Sequence, residues 1–364
     1  MMAPPYESRV ETNDLPRTQV QREEILADPG FGSTFTDHMF IADWTSEQGW
    51  HDPRVVPYAP LMLDPATAVL HYAQEVFEGL KAYVHPDESI WTFRPRRNAA
   101  RLANSARRLG LPELPEEWFL GSLTDLVTID QKWVPGGGEK SLYIRPFMFA
   151  SEVFLGVRPS QQVTYCVIAS PAGSYFSGGV EPIDLWLSTH YSRAATGGTG
   201  NAKCGGNYAA SLLPQQEAAE HGCSQVAFLD AAEHKWVEEL GGMNLFFVQS
   251  DGTLITPELT GSILEGVTRD SVLTLARELG HDVVERKVSV DEWRDGTADG
   301  SITEVFACGT AAVITPIHAI KWHGGESIVA PISDGGVTMR IRQALVDIQY
   351  GRAADNHGWM HRLV

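Results

Sequence analysis

The sequence predicts an α+β chain of two domains, with mixed sheets covered by helices. Three observations carry that prediction. The 364 residues exceed the size at which one hydrophobic core divides. Strand-like segments outnumber helical ones and do not alternate with them regularly, which argues against a doubly wound βαβ sheet. The uncharged, proline- and glycine-bearing stretch from Pro171 to Gly179 separates two halves of ordinary composition. We therefore expect an N-terminal domain at 1–172, a linker at 173–184 and a larger C-terminal domain at 185–364 carrying Lys203.

The first thirty or so residues are polar and proline-bearing and read as an extended arm. His38 to Trp44 and Val55 to Leu63 alternate or run apolar, as strands do, while Gly79 to Tyr83 and Ile90 to Phe93 flank His85-Pro-Asp-Glu88 as a hairpin. Asn98 to Leu109 repeats apolar residues at helical spacing, and Gly110 follows where a helix commonly ends. A second helix is expected from about Glu116 to Trp133. Leu142 to Ala150 and Val163 to Ser170 return to strand.

The second half opens with a strand, Leu185 to Thr189, then a glycine-rich loop around Lys203 and a helix running to about His221. Pro214 lies inside that helical pattern, so the helix either kinks or starts late. Strands follow at Gln225 to Asp230, Met243 to Gln249 and Thr253 to Thr256. Val267 to Leu279 is an amphipathic helix stopped by Gly280. Strands at Val283 to Val288, Thr303 to Ala307 and Ala312 to Ile317 precede a last helix, Val337 to Tyr350. No internal repeat or low-complexity run is visible.

The 28 Lys and Arg against 46 Asp and Glu give a net charge of −18, which repels nucleic-acid backbones and anionic lipid. The densest basic cluster, Arg94, Arg96, Arg97, Arg101, Arg107 and Arg108, reads as a solvated helix face holding one functional arginine. The four cysteines are widely spaced, with neither a CxxC pair nor a Cys/His cluster of zinc-site spacing, so no disulfide framework and no metal site is expected. The N-terminus lacks the apolar core of a signal peptide, and the uncharged stretch Pro159 to Val180 is too broken to span a membrane. The cytoplasm is the default location.

Lys203 is the only formally charged residue between Arg193 and Glu217, and five glycines surround it from Gly197 to Gly206. Glycines let backbone crowd against something bulky. An amine enclosed there would lose hydration of its charged form, leaving a nucleophile able to attack an aldehyde. The segment taken alone fits equally a glycine-rich surface loop in which Lys203 is the soluble residue.

Eight segments in order resolve that choice. They are His71-Tyr-Ala-Gln-Glu-Val-Phe-Glu-Gly-Leu-Lys-Ala-Tyr83, Phe93-Arg-Pro95, Leu142-Tyr-Ile-Arg-Pro146, Gly197 to Tyr208, Glu238-Glu-Leu-Gly-Gly-Met-Asn244, Gly266-Val-Thr-Arg269, Ala307-Cys-Gly-Thr-Ala311 and Asp347-Ile-Gln-Tyr-Gly351. Together they resemble the branched-chain amino acid aminotransferases, of the fold type IV class of pyridoxal-phosphate enzymes, from about residue 30 to the last helix. The resemblance implies that the D-amino acid aminotransferase-like fold is present and that Lys203 both carries pyridoxal 5'-phosphate as a Schiff base and moves the substrate proton. It implies that Tyr208 hydrogen-bonds the cofactor's phenolic oxygen and that Glu239 pairs with the pyridine nitrogen. Arg101, the Val267–Thr268 backbone at a helix start and the Thr310 hydroxyl would hold the phosphate. Thr268 reads equally as an ordinary helix cap. Arg193 resembles an arginine close to the cofactor and reads equally as a structural ion pair. Glu238 is expected to be a solvated neighbour, because adjacent strand residues face opposite sides.

The same resemblance implies a substrate pocket for leucine, isoleucine or valine in one half-reaction and glutamate in the other, with the matching 2-oxo acids. Tyr72, Phe77, Tyr143 and Tyr175 match its aromatics, Arg145 its recogniser of the distal carboxylate, and the Thr310–Ala311 turn its site for the α-carboxylate. Leu155 and Val157 from a partner subunit would close it, which implies a homodimer. Each of these aromatics read by itself is ordinary core. Some positions depart from the family: Ala312 and Thr315 stand where mammalian members carry a CxxC pair, Glu265 where proline is common, and Pro214 within a helix. A D-amino acid aminotransferase or an aminodeoxychorismate lyase would share fold and cofactor. A catalytically dead scaffold would predict loss of Lys203 or Glu239, and both are present.

Overall fold

The computed structural model of the protein describes residues 6–173, 180–333 and 335–364. Among them the chain forms two compact units. One comprises residues 6–173, Ala202–Gly205 and Ile348–Val364, the other residues 180–201, 206–333 and 335–347. A single cut in the middle of the chain therefore does not describe it. The short segment with Lys203, and the C-terminal residues, pack with the first unit.

The first unit holds strands β1 (Arg9–Val10), β2 (His38–Thr45), β3 (Gly49–Pro57), β4 (Glu75–Phe77), β5 (Leu80–Val84), β6 (Ile90–Phe93), β7 (Ser141–Ala150) and β8 (Gln162–Ala172), with helices α1 (Gln19–Ala27), α2 (Val69–Tyr72), α3 (Pro95–Arg108) and α4 (Glu116–Ile129). The sheet runs β1-β3-β2-β8-β7-β5-β6, with β4 alongside β7. The β5–β6 hairpin forms as expected, Ala82 opposite Thr92 and Val84 opposite Ile90. Proline at its first position and apolar Ala99, Leu102 and Ala106 on one face make α3 a helix that packs on the sheet, and Gly110 with φ 66° ends it. Trp118, Phe119, Leu142, Ile144 and Met148 fill the core beneath. The arm is not wholly extended. Thr18 and Gln21 form a capping box that starts α1, a helix with no fully buried residue; only Ile25 and Leu26 at its end rest on the core, so no apolar stripe announces it.

The second unit contains β9 (Ile183–Ser188), β10 (Gln225–Leu229), β11 (Val237–Leu240), β12 (Asn244–Gln249), β13 (Leu254–Thr256), β14 (Val283–Glu285), β15 (Ile302–Gly309), β16 (Val313–Trp322) and β17 (Gly325–Ile328), in the order β11-β10-β9-β16-β15-β12-β13-β14, with β17 on β16. Parallel and antiparallel pairs mix in it. Around it lie α6 (Leu212–Glu220), which follows the short α5 (Gly205–Ala209), then α7 (Val267–Glu278), α8 (Val290–Asp299) and α9 (Val337–Gln349). The expected helix to His221 is thus broken, and Pro214 falls in the first turn of α6, where no intrahelical N–H is required. Sequence patterning missed α8, although Ser289 caps it through the Glu292 N–H, an S-x-x-E signature. Leu245, Phe247, Trp293 and Val305 form its core. The last strand, β18 (Met360–Arg362), returns to the first unit and extends its sheet beyond β6. Among the described residues no helix is long and apolar enough to cross a membrane.

Candidate active site

Lys203 lies between two residues, Ala202 and Cys204, that are buried in the first unit's core. Three hydrogen bonds fix this segment. Phe77 N–H donates to the Lys203 carbonyl at 2.9 Å, Lys203 N–H donates to Ser105 Oγ at 2.9 Å, and Gly205 N–H donates to Glu75 Oε1. With both backbone groups of Lys203 held, its side chain is directed over the Phe77 ring, Nζ 4.5 Å from the centroid.

The same helix face that supplies Ser105 supplies Asn98 and Arg101, at helical spacing of three and four. Arg101 does not lie with the exposed Arg96, Arg97, Arg107 and Arg108; it is buried on the opposite side of α3. Its Nε and Nη2 donate to the Glu78 carboxylate at 2.7 and 2.8 Å, and Asn98 Nδ2 adds a third bond at 2.8 Å. Glu78 is 0% exposed. Burial alone would raise its carboxyl, but the charge and hydrogen bonds of Arg101, the charge of Lys203 and the Asn98 bond together hold it below the usual carboxylate range.

On β7, Tyr143, Arg145 and Phe147 share the half-buried face, and Leu142, Ile144 and Met148 the core face. Arg145 Nη2 donates to the Tyr143 hydroxyl at 2.9 Å, and the guanidinium lies 4.7 Å from the Phe77 centroid and 5.3 Å from that of Tyr143. Its Nε is buried and has no hydrogen-bond partner among the described residues. Tyr143 can approach this closely because residue 79 is glycine: a Cβ there would lie 2.2 Å from the tyrosine oxygen. Phe77, Tyr143, Arg145 and Lys203 thus come together in one unit.

The second unit builds a different cluster at one end of its sheet. Glu239, 2% exposed, pairs with Arg193 Nη1 at 2.6 Å, accepts Leu264 N–H at 2.9 Å and accepts Asn244 Nδ2 at 3.3 Å. Arg193 therefore is an ion-pair partner of Glu239, and it also donates to the Ser262 carbonyl at 3.2 Å. Asn244, opposite Glu239 in the β11–β12 register, is crowded by Gly266, whose added Cβ would meet Asn244 Oδ1 at 2.1 Å. Gly266 begins α7 with no side-chain cap, so Thr268 is not the helix cap, and the first-turn N–H groups at Val267 and Thr268 carry the positive end of the helix dipole. Thr310 and Ala311 form the turn between β15 and β16, next to Val313 at φ 60°, a left-handed conformation that costs a β-branched residue energy. Gly309 packs on Met243, and Gly242 on Tyr208.

Glu238 corrects an expectation. It does face the other side of β11 from Glu239, but that side is covered by the 257–263 segment, where its carboxylate accepts from Ser262 Oγ. Burial raises its carboxyl. Tyr72 and Leu155 are joined by a hydrogen bond from the tyrosine hydroxyl to the Leu155 carbonyl, and Val157 is 89% exposed. Tyr175 lies outside the described residues. Glu75, Glu78 and Asn244 lie within the segments that carry the resemblance, but the sequence assigned them no role, and Ser105 has no local signal beyond its polarity.

Known proteins are similar to this chain in sequence and in fold. The family described as amino-transferase class IV matches residues 75–320. A branched-chain-amino-acid aminotransferase of Mycolicibacterium smegmatis is 58% identical, over 100% of this chain and 100% of its own. Among solved structures, the branched-chain amino acid aminotransferase from Escherichia coli is 30% identical with a TM-score of 0.72, covering 90% of this chain and 99% of that one. That from Thermobaculum terrenum, in its PLP-form, is 26% identical with a TM-score of 0.73, over 90% and 98%.

Proposed function

The chain belongs to the class IV aminotransferases and transaminates branched-chain amino acids, and from that membership we propose that Lys203 is its catalytic amine and 2-oxoglutarate its acceptor. The donor set fits pyridoxal 5'-phosphate: a primary amine with both its backbone groups tied down, a phenol at Tyr208, a carboxylate at Glu239 held by three donors, and a helix start without a side-chain cap. When bound, the cofactor supplies an aldehyde for the substrate's amine and an electron sink for the carbanion at its Cα.

Lys203 holds and moves the proton at Cα, and its pinned backbone limits the positions its amine can reach. Glu239, oriented by Arg193, Asn244 and the Leu264 N–H, would pair with a pyridine nitrogen and favour its protonated form. Tyr208 would donate to the phenolic oxygen. Arg101, the Val267–Thr268 backbone and Thr310 would hold the phosphate. Phe77 and Tyr143 provide apolar and aromatic surface for a branched side chain, and the Thr310–Ala311 turn offers backbone N–H groups to an α-carboxylate. Tyr175 is retained here as a pocket aromatic by resemblance alone.

The observation that carries the acceptor assignment is the Arg145 guanidinium, half-buried against two aromatic rings and, among the described residues, paired with no carboxylate. A guanidinium so placed is completed by a second carboxylate, which glutamate and 2-oxoglutarate have and leucine lacks. We propose further that the protein is a cytoplasmic homodimer. Exposed Met62, Leu63, Leu70, Leu155 and Val157 supply apolar surface for a second copy, and Tyr72, bonded to Leu155, would travel with that loop.

Absorbance and product analysis test this reading. Purified protein supplied with pyridoxal phosphate should show the visible band that lysine attachment confers, and L-leucine with 2-oxoglutarate should give glutamate while D-leucine does not. Lys203→Ala should abolish both. A variant that keeps the band, or turns over at the parental rate, overturns the role of Lys203.

A further inference from the structure

A permanent cation beside an apolar pocket serves only one of the two substrate classes. Facing a leucine side chain, the Arg145 guanidinium would stand half-buried without a counter-charge, which is unfavourable. The register of β4 against β7 shows what accompanies it. Glu75 lies opposite Phe149 and Phe77 opposite Phe147, so by the two-residue period Glu75 and Phe77 present themselves on the face of Tyr143 and Arg145. Among the described residues, the charged groups of this face nearest to them are cationic, Lys203 over Phe77 and Lys81 opposite Tyr143 on β5, while Asp43, farther along the face on β2, is paired with Arg54. Glu78 turns to α3 instead.

Glu75 is close enough to Arg145 for their charges to interact, yet among the described residues no ion pair joins them. A competing contact holds the carboxylate back. Its Oε1 accepts the Gly205 N–H, which ties it to the Lys203 segment, and this contact is so close that a Cβ on residue 205 would sit 2.3 Å from the oxygen. Burial raises the Glu75 carboxyl, while the Gly205 N–H and the Arg145 charge favour its ionised form.

We infer that Glu75 is a specificity-determining residue. Tethered short of pairing with Arg145, its charge compensates that arginine when a branched side chain fills the pocket and opposes the second carboxylate of a diacid. A Glu75 free to close on Arg145 would block diacids, and no carboxylate at all would favour them; the tether sets a compromise between the two. This rests on the proposed role of Arg145 as the distal carboxylate's recogniser.

The test compares two inhibitor-like probes on the holoenzyme by calorimetry at pH 8 and low salt: glutaric acid, with a second carboxylate, and 4-methylvaleric acid, with a branched tail. Glu75→Gln keeps an oxygen for the Gly205 N–H and loses the charge. The ratio of glutarate to 4-methylvalerate affinity should rise roughly three- to tenfold, the range for one screened like charge in a half-buried site. An unchanged or lower ratio overturns the inference. Where Glu75→Gln does not accumulate as folded protein, Glu75→Ala serves: it removes the same charge, and the ratio should again rise. A ratio that falls or holds in Glu75→Ala overturns the inference equally. Arg145→Gln separates the two claims. If its ratio stays at the parental value, the reading of Arg145 fails; if it drops while Glu75→Gln stays at the parental value, only the role of Glu75 fails.

Discussion

Replacing Glu78 by glutamine should destabilise the first unit far more than its nearly unchanged shape suggests. The parent carboxylate is fully enclosed and takes two guanidinium bonds at 2.7 and 2.8 Å from an arginine whose side chain is 10% exposed. Glutamine leaves that arginine charged, buried and facing a neutral amide. Removing one member of a buried pair in this way costs about 3–5 kcal/mol, a large part of the roughly 5–15 kcal/mol by which a domain is folded. Hydrogen exchange at the β5 and β7 amides of the cofactor-free protein reports that unit's opening separately from the rest. Two controls give the reasoning its edge. Glu78→Leu combined with Arg101→Leu should cost less than Glu78→Gln alone, because no unpaired charge remains. Acidification supplies the second control, since the folded-state carboxyl lies below the ordinary glutamate value of about 4.5. The pair's contribution is then complete above that value, is lost as pH falls from it through the lower folded value, and should be missing from the Glu78→Gln profile. A Glu78→Gln penalty below about 1 kcal/mol, or a double variant as unstable as the sum of the single ones, would refute the argument.

Arg145→Ala should raise the Michaelis constant for glutamate about 10- to 100-fold while that for leucine changes little, the worth of a charge-assisted hydrogen bond in a half-buried site. Steady-state kinetics with both amino acids checks it, and equal losses would count against the role given to this arginine. Gly266→Ala drives a Cβ to 2.1 Å from Asn244 Oδ1, so the asparagine that holds Glu239 must move. Overpacking of this kind costs about 1–3 kcal/mol, and the dissociation constant for pyridoxal phosphate should rise with it; an unchanged constant would detach Asn244 from the cofactor's environment. Leu155→Asp with Val157→Asp places two charges on exposed apolar positions. Sedimentation equilibrium should then find monomer where the parent is dimeric, and a persistent dimer would put the interface elsewhere.

Local signals carried much of the architecture. The β5–β6 hairpin needed only alternation around a turn, and α3 and α7 only apolar spacing with a proline or glycine at an end, because these elements are stabilised by neighbours close in the chain. The short strands β4, β11 and β18 went unseen: three or four residues have no measurable period, and β4 and β18 exist because a distant strand pairs with each. Likewise α1 and α8 have few apolar residues to mark a buried face, although both begin with a side-chain cap, Thr18 and Ser289.

The chemical inventory was already determined by the order of residues along the chain. An isolated lysine among glycines, a Glu-Glu-Leu-Gly-Gly run, an arginine two residues after a tyrosine and a Gly-Thr-Ala turn are properties of neighbours in sequence. What tertiary structure decided is how those groups are restrained. Ser105 reaches the Lys203 backbone across 98 residues and Glu75 reaches Gly205 across 130, while Asn244 and Leu264 meet at Glu239 from two separate segments. A hydrogen bond or ion pair of this kind depends on distances that only the folded sheet register sets, so a carboxylate that reads in the sequence as one more acidic residue becomes, once folded, the counter-charge of a particular arginine.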